Sequence, residues 1–158
     1  MAKKIKTNAL RLLDQAKIDY EIKEYEYDED HLSEHIVAQV EIPAKDIFKT
    51  LVLKGNRGFL VCCIPVLEEI DLKKLAKLSN NKSVAMIHMK DLLATTGYIR
   101  GGCSPVGMKK KFDTYFDCSI NECDKIALSA GKRGYQMIVE AKQLLAYLDA
   151  VVGDVIRR

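Results

Sequence analysis

The sequence has no long apolar run. Its longest nearly apolar stretch, Phe59 to Leu67, is nine residues, whereas a membrane-spanning helix needs about 20. No apolar core follows the basic start Met1-Ala2-Lys3-Lys4-Ile5-Lys6, so no secretory leader and no membrane partner are expected. Low-complexity tracts, internal repeats and linkers rich in Pro, Gly and Ser are also missing, which argues against disorder and fibrous architecture. The three histidines, His31, His35 and His88, form no His-Glu-x-x-His pattern, which argues against a zinc hydrolase. His31 and His35 read as surface residues. There is no Gly-x-Ser-x-Gly elbow and no phosphate-binding Gly-x4-Gly-Lys-Ser/Thr loop. The five cysteines, at 62, 63, 103, 118 and 123, are odd in number and include no Cys-x2-Cys pair. A secreted disulfide scaffold and a metal centre are therefore not expected. The pattern is that of reduced thiols in a cytoplasmic protein, partly in the core, with no cofactor.

What is present is enough for a core. Of 158 residues, 48% are hydrophobic and 30% charged, and the length suits one domain over residues 1–158. The net charge of +3 decides little, but its distribution is uneven. Glu21, Glu24, Glu26, Asp28, Glu29 and Asp30 crowd one stretch against Lys23, while residues 98–111 hold Arg100, Lys109, Lys110 and Lys111 and no acid. The second stretch suits phosphates and the first repels them.

Periodicity predicts a helix over 7–17, capped at Thr7 or Asn8, and a half-buried strand around Ile18, Tyr20 and Ile22. Ser33 is a candidate cap for a short helix carrying Ile36, Val37 and Val40, ended by Pro43. Two apolar runs, 50–54 and 59–65, flank Gly55-Asn56-Arg57-Gly58 and predict a hairpin. Asp71 to Leu78 reads as a helix with Leu72, Leu75 and Leu78 inward. A short strand (83–87), a short helix (90–95) and a glycine-rich loop (97–107) follow. Strands are expected at 114–117, 126–129 and 136–139, then a helix over 140–150. Hairpins demand antiparallel neighbours and helical connections permit parallel ones. The expected class is α+β: a mixed, largely antiparallel sheet of six to seven strands, partly barrel-like, with helices packed around it.

Three segments could carry chemistry. In Phe48-Lys49-Thr50-Leu51-Val52-Leu53, alternation puts Lys49 on one face with Leu51 and Leu53, and an ammonium among apolar residues calls for an anion or several acceptors. The loop Gly97 to Lys110 combines four glycines with Arg100, Lys109 and Lys110. Consecutive glycines let backbone N–H groups form an anion-binding concavity. Ser129-Ala130-Gly131-Lys132-Arg133-Gly134 places two cations at a turn between strands.

In this order, Phe-Lys-Thr-Leu (48–51), Asp-Leu-Lys-Lys-Leu-Ala (71–76), Gly-Tyr-Ile-Arg-Gly-Gly-Cys-Ser-Pro-Val-Gly-Met-Lys-Lys (97–110) and Ser-Ala-Gly-Lys-Arg-Gly (129–134) resemble the YbaK/EbsC family. These are Cys-tRNA(Pro)/Cys-tRNA(Cys) deacylases related to the editing domain of bacterial prolyl-tRNA synthetases. The resemblance spans nearly the whole chain. It implies trans-editing: removal of cysteine from the acceptor end of mischarged tRNA, with prolyl-tRNA synthetase as a further partner. It also implies a lyase-like reaction in which the substrate's own thiol attacks the ester carbonyl and leaves as a cyclic thiolactone. By resemblance, Lys49 binds the aminoacyl group or terminal ribose. Tyr25, Leu32, Gly101, Gly102, Ser129, Gly131 and Gln136 line the substrate pocket, and Arg100, Lys109, Lys110, Lys132 and Arg133 are candidates for tRNA phosphates. Gln136 stands where close relatives have Asp, which keeps an acceptor and loses a charge. Leu32 stands where relatives often have an aromatic residue. The alternatives are a deacylase for Ala-tRNA(Pro) or another aminoacyl-tRNA that uses water as a hydrolase, and a non-catalytic module that binds prolyl-tRNA synthetase or tRNA.

Overall fold

The computed structural model describes residues 5–28, 30 and 32–158, and the side chains of all of these except 32–35. The first helix, α1 (Asn8–Gln15), starts where Thr7 accepts a hydrogen bond from the Leu10 N–H at 3.2 Å, one of the orphan donors of a helix start. Ala9, Leu10 and Leu13 form its buried face. Strand β1 (Tyr20–Glu24) and helix α2 (Leu32–Gln39) follow. Strands β2 (Phe48–Gly55) and β3 (Gly58–Pro65) form the expected hairpin, with Gly55 paired to Gly58 across Asn56-Arg57. Helix α3 (Leu72–Leu78) is capped by the Asp71 carboxylate, which accepts from the Lys74 N–H at 3.1 Å. Then come β4 (Val84–Met86), α4 (Met89–Thr96), β5 (Asp113–Asp117), β6 (Lys125–Ser129), β7 (Tyr135–Glu140), α5 (Ala141–Leu148) and β8 (Val151–Gly153).

The class is α+β with mixed, largely antiparallel pairing, as expected, but the strands form two sheets where the sequence suggested one. The smaller has the order β1-β7-β6 and the larger β4-β2-β3-β5-β8. Neither closes into a barrel. They meet at one parallel bridge between Ile47 and Ala127. The β3–β5 and β5–β8 ladders are parallel and the others antiparallel.

Three local expectations need correction. The last helix does not reach Ala150: Asp149 adopts a left-handed conformation (φ 52°), and Val151–Gly153 pair beside β5 as β8. A three-residue strand is too short to show a period of its own. Helix α2 begins at Leu32, so Ser33, the expected cap, falls inside it rather than before it. Leu72 points outward and is 37% exposed, while Leu75 is fully buried. His31 lies outside the described residues.

The main core packs α1 and α5 onto both sheets through Leu10, Leu13, Phe48, Phe116, Leu128, Met137 and Leu144. A second cluster, with Leu53, Leu60, Cys62, Ile64 and Leu75, lies under α3. A third, built from Tyr25, Ile36, Val40, Ile47, Val66, Ala127 and Ile138, sits where the two sheets meet and forms the base of the site described next.

Candidate active site

Strand β4 pairs only with Leu53–Gly55 of β2. Among the described residues, the stretch Phe48–Leu51 has no ladder partner on that edge. A cavity of about 450 Å³ opens there, within the usual range for small-molecule sites. Residues Phe48 to Val52 form one wall, Ser129 and Gln136 of the smaller sheet another, and Arg100, Gly101 and Cys103 of the glycine-rich loop a third. Met86, Ile87, Met89 and Leu92 give an apolar lip, and Asp30 is the one carboxylate among the described lining residues.

Lys49 lines this cavity, half-buried, opposite Ile64 and on the same face as Leu51 and Leu53. Burial lowers its pKa from the ordinary 10.5, and the nearby carboxylates Glu69 and Glu68 pull it back up. The cost is desolvation of the ammonium, which an anionic or carbonyl-rich ligand would relieve.

Gln136 is 3% exposed and lines the cavity, and its Oε1 has no hydrogen-bond partner in the structure. An unpaired buried carbonyl oxygen is costly, so this atom is a ready acceptor for a ligand donor. Its neighbour Tyr25 is buried, and its phenol points to the Gly101 carbonyl at 3.5 Å. Burial raises the Tyr25 pKa, partly offset by the Gly134 backbone and the Gln136 side chain. Tyr25 therefore stays a neutral donor at physiological pH.

The glycine-rich loop is braced by its own side chains. The Thr96 hydroxyl accepts from the Tyr98 N–H at 3.0 Å, and the Tyr98 phenol reaches across to donate to the Val106 carbonyl. Gly101 has φ +85°, and a Cβ there would lie 2.4 Å from Cε1 of Tyr27, so a larger residue would be strained and would have to displace the Tyr27 ring. Gly102 does not line the cavity; it backs onto the turn after β6, where a Cβ would be 3.2 Å from the Arg133 backbone nitrogen. Gly131 also stands away from the cavity. Its φ is +96°, and it packs against Tyr98 and Thr7, whose hydroxyl donates to the Ala130 carbonyl at 2.5 Å. Its role is to seat α1 and the loop on the turn. Ser129 lines the cavity and holds the turn by accepting from the Gly131 N–H at 3.2 Å. The Leu32 side chain lies outside the described set.

The cations divide. Arg100 is exposed at the cavity wall and Lys110 is exposed nearby in the chain. Lys109 donates to the Ala94 carbonyl at 3.3 Å, and Lys132 sits 5.6 Å from the Tyr135 ring centroid. Arg133 is committed inward: its Nε donates to the Arg100 carbonyl at 2.8 Å, and its guanidinium lies 4.6 Å over the Tyr27 ring. Tyr27 and the methionine lip were not singled out from sequence, and Asp30 was read there only as part of an acidic stretch. Their relation to the cavity comes from tertiary contacts that no local spacing announces.

Cys103 is the one thiol at the cavity, and burial pushes it up to about 12, only partly offset by the Thr96 hydroxyl. No histidine lines the cavity among the described residues, and no metal-ligating cluster of His, Cys, Asp and Glu exists among them. No helix of the described residues is long and apolar enough to cross a membrane.

Comparison with known proteins agrees with this geometry. Residues 30–147 match the aminoacyl-tRNA editing domain. The chain belongs to that family. As an editing domain it is 49% identical, over 95% of its length and 93% of the relative's, to a protein of Enterococcus faecalis that carries the name Cys-tRNA(Pro)/Cys-tRNA(Cys) deacylase EbsC. It also matches proline–tRNA ligase of Fervidobacterium nodosum, at 34% identity over 43% of this chain and 12% of that one. Among solved structures, the fold superimposes with a TM-score of 0.83 on a trans-editing enzyme for prolyl tRNA synthetase, covering 98% of this editing domain and 100% of the other at 20% identity. The protein APE2540 superimposes with a TM-score of 0.86, 96% and 100% coverage and 18% identity.

Proposed function

We propose that this protein, a single editing domain over 1–158, is a cytoplasmic trans-editing deacylase. It removes cysteine from Cys-tRNA(Pro), and from Cys-tRNA(Cys), by a lyase-like route in which the substrate supplies the nucleophile. The observation that carries the reading is the lining of the cavity. Among the described residues it offers cations, an unpaired buried acceptor and a glycine backbone, but no activated protein nucleophile.

A substrate thiol compensates for that lack. It titrates near pH 8.5 in water and is already tethered to the carbonyl it attacks, so its effective concentration is high. The thiol gives up its proton as the sulfur–carbon bond of a cyclic thiolactone forms, the ester carbon–oxygen bond breaks, and the terminal ribose oxygen takes up one proton, so the step balances without added water. Lys49 stabilises the oxyanion or holds the ribose oxygen, as a preorganised cation in a partly desolvated site. Gln136 Oε1 accepts from the substrate's amino group, and the Tyr25 and Gly101 pair fixes the wall against which the ester lies. The named activity of the 49%-identical relative supports the amino acid, and the match to part of proline–tRNA ligase supports an association with that enzyme.

The test is a set of time courses with tRNA(Pro) charged with cysteine, S-methylcysteine, serine or alanine. Cys-tRNA is expected to be deacylated much faster than the other three. Equal rates on cysteine and S-methylcysteine would exclude attack by the substrate thiol and favour water.

A further inference from the structure

Two segments far apart in sequence, 25–27 and 132–133, converge on the two peptide units that flank Gly101 at the cavity wall. Arg133, in the turn after β6, donates its Nε to the Arg100 carbonyl at 2.8 Å, one residue before Gly101. The same guanidinium lies 4.6 Å over the ring of Tyr27, which follows β1. That ring in turn occupies the space a Gly101 side chain would need, with Cε1 2.4 Å from the Cβ position. Tyr25 points its phenol at the Gly101 carbonyl at 3.5 Å, and Gly102 rests against the backbone of Lys132 and Arg133. Gly101 lines the cavity, whereas Tyr27 and Arg133 are not among its lining residues.

We propose that Arg133 and Tyr27 form a clasp that sets the position of the Gly101 backbone in the cavity wall. They are positioning residues for deacylation, and Arg133 is not a tRNA-phosphate ligand. The inference rests on the deacylase reading above. The physical case is the guanidinium's shape. Its planar face stacks on an aromatic ring while an edge N–H bonds a carbonyl, and the two contacts fix it in one orientation. Lysine keeps the charge but has no planar face to stack on the ring and no rigid fork to fix the carbonyl contact. The Tyr27 hydroxyl is buried and without a partner, so the part of Tyr27 that acts is its ring. A carbonyl or N–H displaced by about 1 Å loses much of a positioned interaction in a reacting complex.

The experiment uses the full chain with Arg133→Lys, Arg133→Gln, Tyr27→Leu, Tyr27→Phe and the double variant Arg133→Lys/Tyr27→Leu. Steady-state deacylation of Cys-tRNA(Pro), tRNA affinity as a function of salt, and amide hydrogen exchange of residues 99–103 in the free protein are measured. Arg133→Lys and Tyr27→Leu are each expected to lower kcat about tenfold, the size of one lost hydrogen bond or ring contact, with KM and the salt slope unchanged. Exchange over 99–103 should rise in both. Tyr27→Phe should restore kcat and protection relative to Tyr27→Leu. The double variant should be little worse than either single one, since the two residues act as one unit. Arg133→Lys with unchanged kcat and protection would overturn the clasp; Arg133→Gln, which removes the charge, should leave the salt slope unchanged, and a slope shallower by about one phosphate in that variant would also overturn it. If the wild-type protein deacylates none of the tRNAs, the functional reading fails on its own. The exchange data still decide whether the clasp holds the loop.

Discussion

Lys49 and Cys103 both line the cavity, and the physics of each points to a different use. Burial lowers the Lys49 pKa from 10.5, with Glu69 and Glu68 opposing. A lysine whose folded pKa lies below its unfolded value stabilises the fold only above 10.5. That contribution is lost as pH falls through the folded value, so at neutral pH the charged form is held at a cost. Lys49→Met, which keeps the apolar stem, is therefore expected to hold or raise the thermal midpoint at pH 7 while lowering deacylation ten- to hundredfold, roughly the worth of a charge-assisted hydrogen bond of 1.5–3 kcal/mol. Turnover at the wild-type rate would remove Lys49 from the chemistry. Cys103 is the opposite case. A thiol at about 12 is almost wholly protonated at pH 7 and a poor nucleophile. Cys103→Ser should keep activity on Cys-tRNA within a few-fold. An inactive variant, or a cysteinyl-enzyme thioester trapped by mass spectrometry, would show that the protein thiol takes part.

At the scale of elements, the glycine-rich loop is where local sequence and tertiary contact meet. Gly101→Ala places a Cβ at φ +85° and 2.4 Å from the Tyr27 ring. The strain is of order 1–3 kcal/mol. The expected outcome is a lower urea midpoint together with a fall in kcat larger than the stability loss explains, measured where the variant is fully folded. Unchanged kcat would mean the loop backbone plays no part in positioning. The loop was picked out in the sequence by its glycines and cations, and it does line the cavity; the face of Lys49 was legible too, because a strand's period of two fixes it. The role of each glycine was not. Gly101 lines the cavity, while Gly102 and Gly131 serve packing against Arg133 and Tyr98. Only the fold brings residues 25–27, 100–102 and 131–133 together. The strand β8 and the split into two sheets were hidden for the same reason: pairing partners are chosen in three dimensions.

Across the whole molecule, the charge pattern sets how tRNA can be held. Acids gather in 21–30 and cations in 98–111 and at 132–133, but the structure shows that the cations are not equivalent. Lys111 pairs with Asp149 at 2.7 Å, Arg133 is clasped between a carbonyl and a ring, and Lys109 leans on the Ala94 carbonyl. Arg100, Lys110 and Lys132 are exposed and best placed to meet phosphates. Each phosphate neutralised releases counterions and contributes about −0.7 to −0.9 to the slope of log affinity against log salt. About three contacts predict a slope near −2 to −3, shallow for a nucleic-acid binder, with repulsion from the 21–30 stretch keeping the affinity low. Lys110→Ala and Lys132→Ala should each reduce the magnitude of the slope by about one, while Arg133→Gln leaves it unchanged. Filter-binding or fluorescence titrations between ~50 and ~200 mM salt read this directly. An affinity that does not change over that range would show that the phosphates are not held by these cations, and that the acceptor end is recognised through the cavity alone.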